Sequence, residues 1–276
     1  MSAKIKIVLC LSVVLLTLPK ALDASDCKLV WHDEFNKDGP PDPANWNYEH
    51  GFVRNNELQW YQPENAFCTN GLLVIEARRE HKPNPDFVTN STGWQTNRRW
   101  IEYTSASITT RHLREFQYGK FEMRARISTR VGSWPAFWML GAAPGIHWPA
   151  CGEVDIMEYY AGTVLANFGY GLDQKAKWLA VKRNIAELGG ETWAREFHIW
   201  TMEWDKQKID LLLDGKLMNH LELASADQAD HGNPFHRPVY FILNQAIGGN
   251  CGGDPSQTQF PIRFEVDWVR VYQQVN

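Results

Sequence analysis

The sequence predicts an all-β fold, a jelly-roll sandwich of two antiparallel sheets, on three observations. Segments with the two-residue period of strands recur along most of the chain from residue 71. Turn residues separate them, and only two short stretches look locally helical. No internal repeat, low-complexity tract or Pro/Gly/Ser-rich linker divides the 276 residues, so residues 25–276 read as one large domain. At 44% hydrophobic and 22% charged, the composition excludes disorder, collagen and coiled coil.

Residues 1–24 are expected to be a secretory signal peptide. Lys4 and Lys6 precede an apolar run from Ile7 to Leu18, then come Pro19 and small residues ending in Ala21 or Ala24. The apolar part is too short to anchor, and no later run of eighteen apolar residues could span a membrane. A secreted or periplasmic, monomeric protein is the expectation. Removing the segment takes three lysines and one aspartate, so the net charge moves from −4 to −6. That sign makes nucleic acid and anionic membranes poor partners, because both are held by neutralising phosphates. Strongly anionic polysaccharides are disfavoured on the same ground unless a local basic patch overrides it. Cys27, Cys68, Cys151 and Cys251 remain, an even number for an oxidising compartment with three full pairings open, or with Cys151 reduced and buried. Charged Asp26 before Cys27 argues against a lipid anchor.

The expected strands are Leu72–Arg79, Thr104–Arg111, Gly119–Ile127, Trp134–Leu140, Glu153–Tyr159, His198–Trp204, Lys208–Leu213, Val239–Ala246 and Phe264–Tyr272. Gly119–Ile127 is the clearest, with Phe121, Met123, Ala125 and Ile127 on one face and Lys120, Glu122, Arg124 and Arg126 on the other. Asp214-Gly215 has the chemistry of a two-residue hairpin turn. Asp173–Leu188 and Ala224–Ala229 are the two stretches expected to be helical.

Three acids stand within six residues of Glu153-Val154-Asp155-Ile156-Met157-Glu158, among apolar and aromatic neighbours. Burying carboxylates is costly, so they are expected at a partly desolvated cleft. An unbroken strand would put Glu153 and Asp155 on one face and Glu158 on the other; one extra residue, a β-bulge at Ile156-Met157, would bring Glu158 back. With Glu153 and Asp155 ionised, repulsion would leave Glu158 holding a proton near neutral pH, as a general acid must. Attack by Glu153 on a sugar would then consume its charge and let Glu158 turn base, the sequence of a retaining glycosidase. Asp155 would orient Glu153.

The same hexapeptide resembles the E-x-D-x-x-E signature of glycoside hydrolase family 16 in its bulged, laminarinase-like form. Trp31-His32-Asp33-Glu34-Phe35, Asn55-Asn56-Glu57-Leu58-Gln59-Trp60-Tyr61, Tyr118–Arg124, Trp134–Gly141, Asn244–Gly253 and Val266–Tyr272 extend the resemblance over most of the chain. It implies a jelly roll with a glycan lying in a concave cleft, Glu153 as nucleophile, Asp155 assisting and Glu158 as acid/base. No cofactor is implied beyond a structural calcium near Asp267 and the Glu34 segment, with oxygen ligands.

Thirteen tryptophans, nine tyrosines and thirteen phenylalanines suit the apolar faces of sugar rings. Trp134 and Trp148 are expected as stacking platforms. By family position Arg54, Asn55 and Trp60 would contact sugars, while Gln245 and Asn244 would approach the cleft from the strand before the Gly-rich turn. Residues 161–171 lack the histidine that many relatives carry there and offer Asn167 and Tyr170; Cys251 stands where an aromatic is common. The resemblance therefore implies an endo-acting retaining enzyme on β-1,3- or mixed β-1,3-1,4-glucan. An endo-β-galactosidase on poly-N-acetyllactosamine, mucin-type O-glycans or algal galactan is the alternative, and a non-catalytic glycan-binding protein is the alternative from another class.

Overall fold

The computed structural model describes residues 27–173 and 175–274, and the expected signal peptide lies outside them. In chain order the strands are β1 (Cys27–Asp33), β2 (Asn47–Tyr48), β3 (Gln59–Tyr61), β4 (Ala66–Thr69), β5 (Leu72–Pro83), β6 (Trp100–Ser105), β7 (Ser107–Thr109), β8 (Gly119–Arg126) and β9 (Ser133–Gly141). They continue as β10 (Glu153–Tyr160), β11 (Thr163–Leu172), β12 (Lys175–Asn184), β13 (His198–Trp204), β14 (Lys208–Leu213), β15 (Lys216–Glu222), β16 (Val239–Ile247) and β17 (Ile262–Gln274). One sheet runs β12-β11-β10-β9-β16-β7-β2; the other runs β15-β14-β13-β8-β17-β5-β6-β3, with β1 beside β17 and β4 beside β5. Pairing is antiparallel except for β3 with β6. This is the jelly-roll sandwich that the strand pattern predicts.

Two-residue alternation explains the core. Phe121, Met123 and Ala125 of β8 are fully buried, while Arg124 and Arg126 on its other face pair with Asp267 and Glu265. Phe137 and Met139 of β9, Phe168 of β11, Trp200 and Trp204 of β13 and Phe241 of β16 fill the space between the sheets. The Asp214-Gly215 turn has φ of 49° and 73°, the pair of positive values that a type I′ hairpin needs between β14 and β15.

Three expectations are corrected, and the open cysteine question is decided. The Thr104–Arg111 strand is two strands, β6 in one sheet and β7 in the other, with buried Ala106 at the crossing. Asp173–Leu188 is not a helix: ten of its residues form β12, paired along their whole length with β11, and only Ile185–Leu188 are helical. Being the outer strand, β12 exposes residues on both faces and so lacks apolar alternation; its Lys/Ala-rich composition favours helix, but backbone pairing prevails. Ala224–Ala229 gives way to a 3₁₀ turn at Leu223–Ala226. The four cysteines of the described chain are free thiols, with Cys68 and Cys151 buried; this is the reduced, buried alternative for Cys151, and none of the three full pairings is formed among the described residues.

Candidate active site

The acids sit on β10 between β9 and β11, and the register shows how the strand presents them. Asp155 faces Trp138 on β9, yet Met157 already faces Phe137, so Ile156 and Met157 occupy the length of one residue. The same slip occurs against β11, between Asp155 opposite Asn167 and Glu158 opposite Leu165. Both Ile156 and Met157 turn into the core, each no more than 1% exposed. The bulge thereby returns Glu158 to the face of Glu153 and Asp155, and all three line one cleft of about 620 Å³.

Three rows cross the sheet on that face. Leu140, Glu153, Gly169 and Trp178 form one; Trp138, Asp155, Asn167 and Ala180 the next; Ala136, Glu158, Leu165 and Lys182 the third. Each outer acid has its own indole donor. Trp148 Nε1 donates to Glu153 Oε2 at 2.6 Å, and Trp134 Nε1 donates to Glu158 Oε1 at 2.6 Å. Asn167 Nδ2 spans the other two, donating to Asp155 Oδ2 at 2.9 Å and to Glu158 Oε2 at 3.1 Å. Asp155 and Glu153 hydrogen-bond to each other.

Burial is the largest force on these groups, ahead of the mutual repulsion expected from the sequence. It lifts Glu158 to about 8, with the Asp155 charge adding to the effect and the Trp134 and Asn167 donors opposing it. It lifts Asp155 to about 6, opposed by hydrogen bonds from Asn167 and Glu153. Glu153 too is raised well above the ordinary carboxyl range, first by burial and then by Asp155. Glu158 thus holds its proton near neutral pH as expected, while burial pushes Glu153 and Asp155 toward the neutral form as well, with Glu153 donating to Asp155.

Arg54, Asn55, Trp134, Trp148 and Asn167 line the cleft. Trp134 is 6% exposed, and its edge-on contact with Tyr160 holds the ring in place. Arg54 pairs with Glu49 and lies over the Trp138 ring, 5.0 Å from its centroid. Trp60 is elsewhere: it packs against Gly51 and edge-on to Phe52, where it closes a loop. Gln245 is fully buried, donating to Ser133 Oγ and the Ala246 carbonyl, and Tyr170 turns into the core to donate to the Ser225 carbonyl. Asn244 acts from beneath, accepting from Trp138 Nε1 at 2.7 Å. Sequence reasoning missed Trp138, Trp178, Lys182 and Tyr160; all four line the cleft. Their spacing would have revealed Trp178 and Lys182 had residues 175–184 been read as a strand.

The calcium implied near Asp267 and Glu34 does not fit the residues present. Asp267 pairs with Arg124, and Glu34 receives two hydrogen bonds from Arg270, which with its charge holds the Glu34 carboxyl below its usual range. Among the described residues no group of three or more His, Cys, Asp or Glu is arranged to hold a metal ion.

Acids raised by burial, the outer two each with an indole donor, in a cleft lined by aromatic rings, are the equipment of a glycosidase. Comparison with known proteins narrows the class. Residues 54–270 match the family model described as glycosyl hydrolases family 16. A beta-glucanase of Rhodothermus marinus is 36% identical over 267 residues, 90% of this chain and 86% of that protein. Longer relatives are spanned for 34% to 38% of their length. A structure from work on endo-acting O-glycanases with which human gut microbes initiate mucin breakdown superposes with a TM-score of 0.83 at 33% identity, covering 93% of this chain and 94% of that one. The laminarinase catalytic domain of Thermotoga maritima MSB8 gives 0.77 at 37% identity, covering 91% and 100%. The chain belongs to glycosyl hydrolase family 16 and is an endo-acting glycosidase.

Proposed function

We propose that the protein is a secreted, monomeric, retaining endo-β-glycosidase that cuts inside β-1,3- or mixed β-1,3-1,4-glucan. The observation that carries the mechanism is the bulge at Ile156-Met157, which sets Glu153 and Glu158 on one cleft face with separate indole donors. A Glu153 oxygen attacks the anomeric carbon and forms a glycosyl ester, while Glu158 gives its proton to the departing glycosidic oxygen. The leaving half departs as an alcohol. Glu158, now an anion held by Trp134 and Asn167, takes a proton from water, whose oxygen breaks the ester and restores the original configuration. At rest Glu153 holds the shared proton and donates to Asp155; passing that proton to Asp155 ionises the nucleophile without leaving a second full charge beside it.

The glucan reading is supported by the beta-glucanase and laminarinase relatives. A second reading, endo-β-galactosidase action on poly-N-acetyllactosamine or mucin-type O-glycans, is favoured by the 0.83 superposition on the O-glycanase structure. Incubation with laminarin, barley glucan, agarose and mucin O-glycans, with products sized and the first-formed anomer read by NMR, separates the two. Glu158→Gln is expected to lose about 10²- to 10⁴-fold in turnover while still holding glycan. Wild-type protein that binds glycan but cuts none of the panel would be a lectin, and the hydrolase reading would fail.

A further inference from the structure

The edge strand β12 carries Lys175, Lys177, Lys182 and Arg183 and no acid, in a chain whose net charge is negative. Its register with β11 sends alternate residues over the cleft: Trp178 opposite Gly169, Ala180 opposite Asn167, Lys182 opposite Leu165. Lys177 leaves on the other face, over the Tyr170 ring. Trp178 is 45% exposed, and its ring rests on Gly169, where an added Cβ would meet ring atoms at 2.8 Å. Trp148 continues this aromatic wall, its ring centroid 6.5 Å away and tilted by 42°.

Lys182 closes the other end. Lysine ion pairs among the described residues are those of Lys82, Lys120 and Lys208, so the Lys182 ammonium faces the cleft without a carboxylate of its own. Strand geometry puts Trp178 and Lys182 about 13 Å apart, each about 10 Å from the acid of its row. Small Ala180 leaves a slot between them.

We propose that this edge is a subsite for a negatively charged substituent on the glycan, a sulfate ester or a carboxylate, with its sugar on Trp178 and its anion on Lys182. The inference rests on the cleft being the one where glycan is cut. It also reverses locally the repulsion of anions that the net charge imposes. The slot lies to the side of the acids, so it selects what the chain carries and leaves the bond-breaking groups alone.

Calorimetry on the Glu158→Gln protein, which is expected to hold glycan with little cutting, provides the test. The ligands are a lactosamine hexasaccharide in neutral, 6-O-sulfated and sialylated forms, and laminarihexaose in neutral and sulfated forms. On at least one backbone a charged form is expected to bind about fivefold tighter than the neutral one, as an exposed ion pair allows. Adding Lys182→Gln or raising salt to about 0.5 M should abolish that advantage. Trp178→Ala should weaken neutral and charged forms together, by about tenfold. A preference for the sulfated form alone, or for the sialylated form alone, identifies the anion. Equal binding of neutral and charged forms on both backbones, or a preference that survives Lys182→Gln, overturns the proposal. Absence of cleavage of the whole panel by wild-type protein would instead overturn the enzymatic reading, whatever the binding shows.

Discussion

Glu158 shows most directly what the site costs the fold. In the unfolded chain its carboxyl ionises near 4.5, while in the folded protein burial holds the proton to about 8. Between those values the folded state binds the extra proton, so this residue makes stability fall as pH rises through the window. Glu158→Gln removes the burden and is expected to raise Tm by about 2–4 °C at pH 8 and by little at pH 4.5, measured by thermal melts at both pH values. Turnover of the wild type should fall on the alkaline side near pH 8, where the acid loses its proton, and that limb should be missing from any residual activity of the variant. The acids were legible in the sequence because three carboxylates in an apolar strand have few places to go. The roles of Gln245 and Trp60 were not, since one residue's step in strand register or one loop contact decides between cleft and packing.

At the scale of the element, the bulge is a question of parity. Deleting Met157 leaves Glu158 two positions after Asp155, an ordinary strand spacing, so the acid should stay in the cleft. Measurable turnover is expected from that variant, together with a loss of about 2–5 kcal/mol for the missing buried side chain, read by urea unfolding. Deleting Ile156 and Met157 together sets Glu158 directly after Asp155, on the opposite face, and should reduce turnover about 10²- to 10⁴-fold; full activity in that variant would contradict the geometry. Strands with one apolar face, such as β8, β13 and β14, were readable residue by residue, because burial on one side imposes the period. The outer strand β12 has no such face, and its conformation is fixed by ten partners on β11 that no local pattern announces.

For the whole molecule, two sheets and one large core make disulfides unnecessary. The four thiols of residues 27–274 belong to segments that hydrophobic packing and hydrogen bonds already hold. Titration of protein cleaved after Ala24 and unfolded without reductant is expected to count four thiols, and dithiothreitol should leave Tm unchanged. A drop in Tm on reduction would mean that the even cysteine count had been the better guide. The sandwich itself was legible because turns and alternating runs alone require two sheets, whereas the division of strands between them was not: buried Ala106, which passes the chain from one sheet to the other, looks like any small residue in a strand.

The outer border of the seven-stranded sheet leaves the far side of β12 open, a line of amide and carbonyl groups that a strand from another molecule could join. Its crowd of like-signed ammonium and guanidinium groups repels a second copy of the same border. A strand given to glycan selection is thereby also a guard against self-association, and neutralising its lysines to tune specificity would invite the protein to clump.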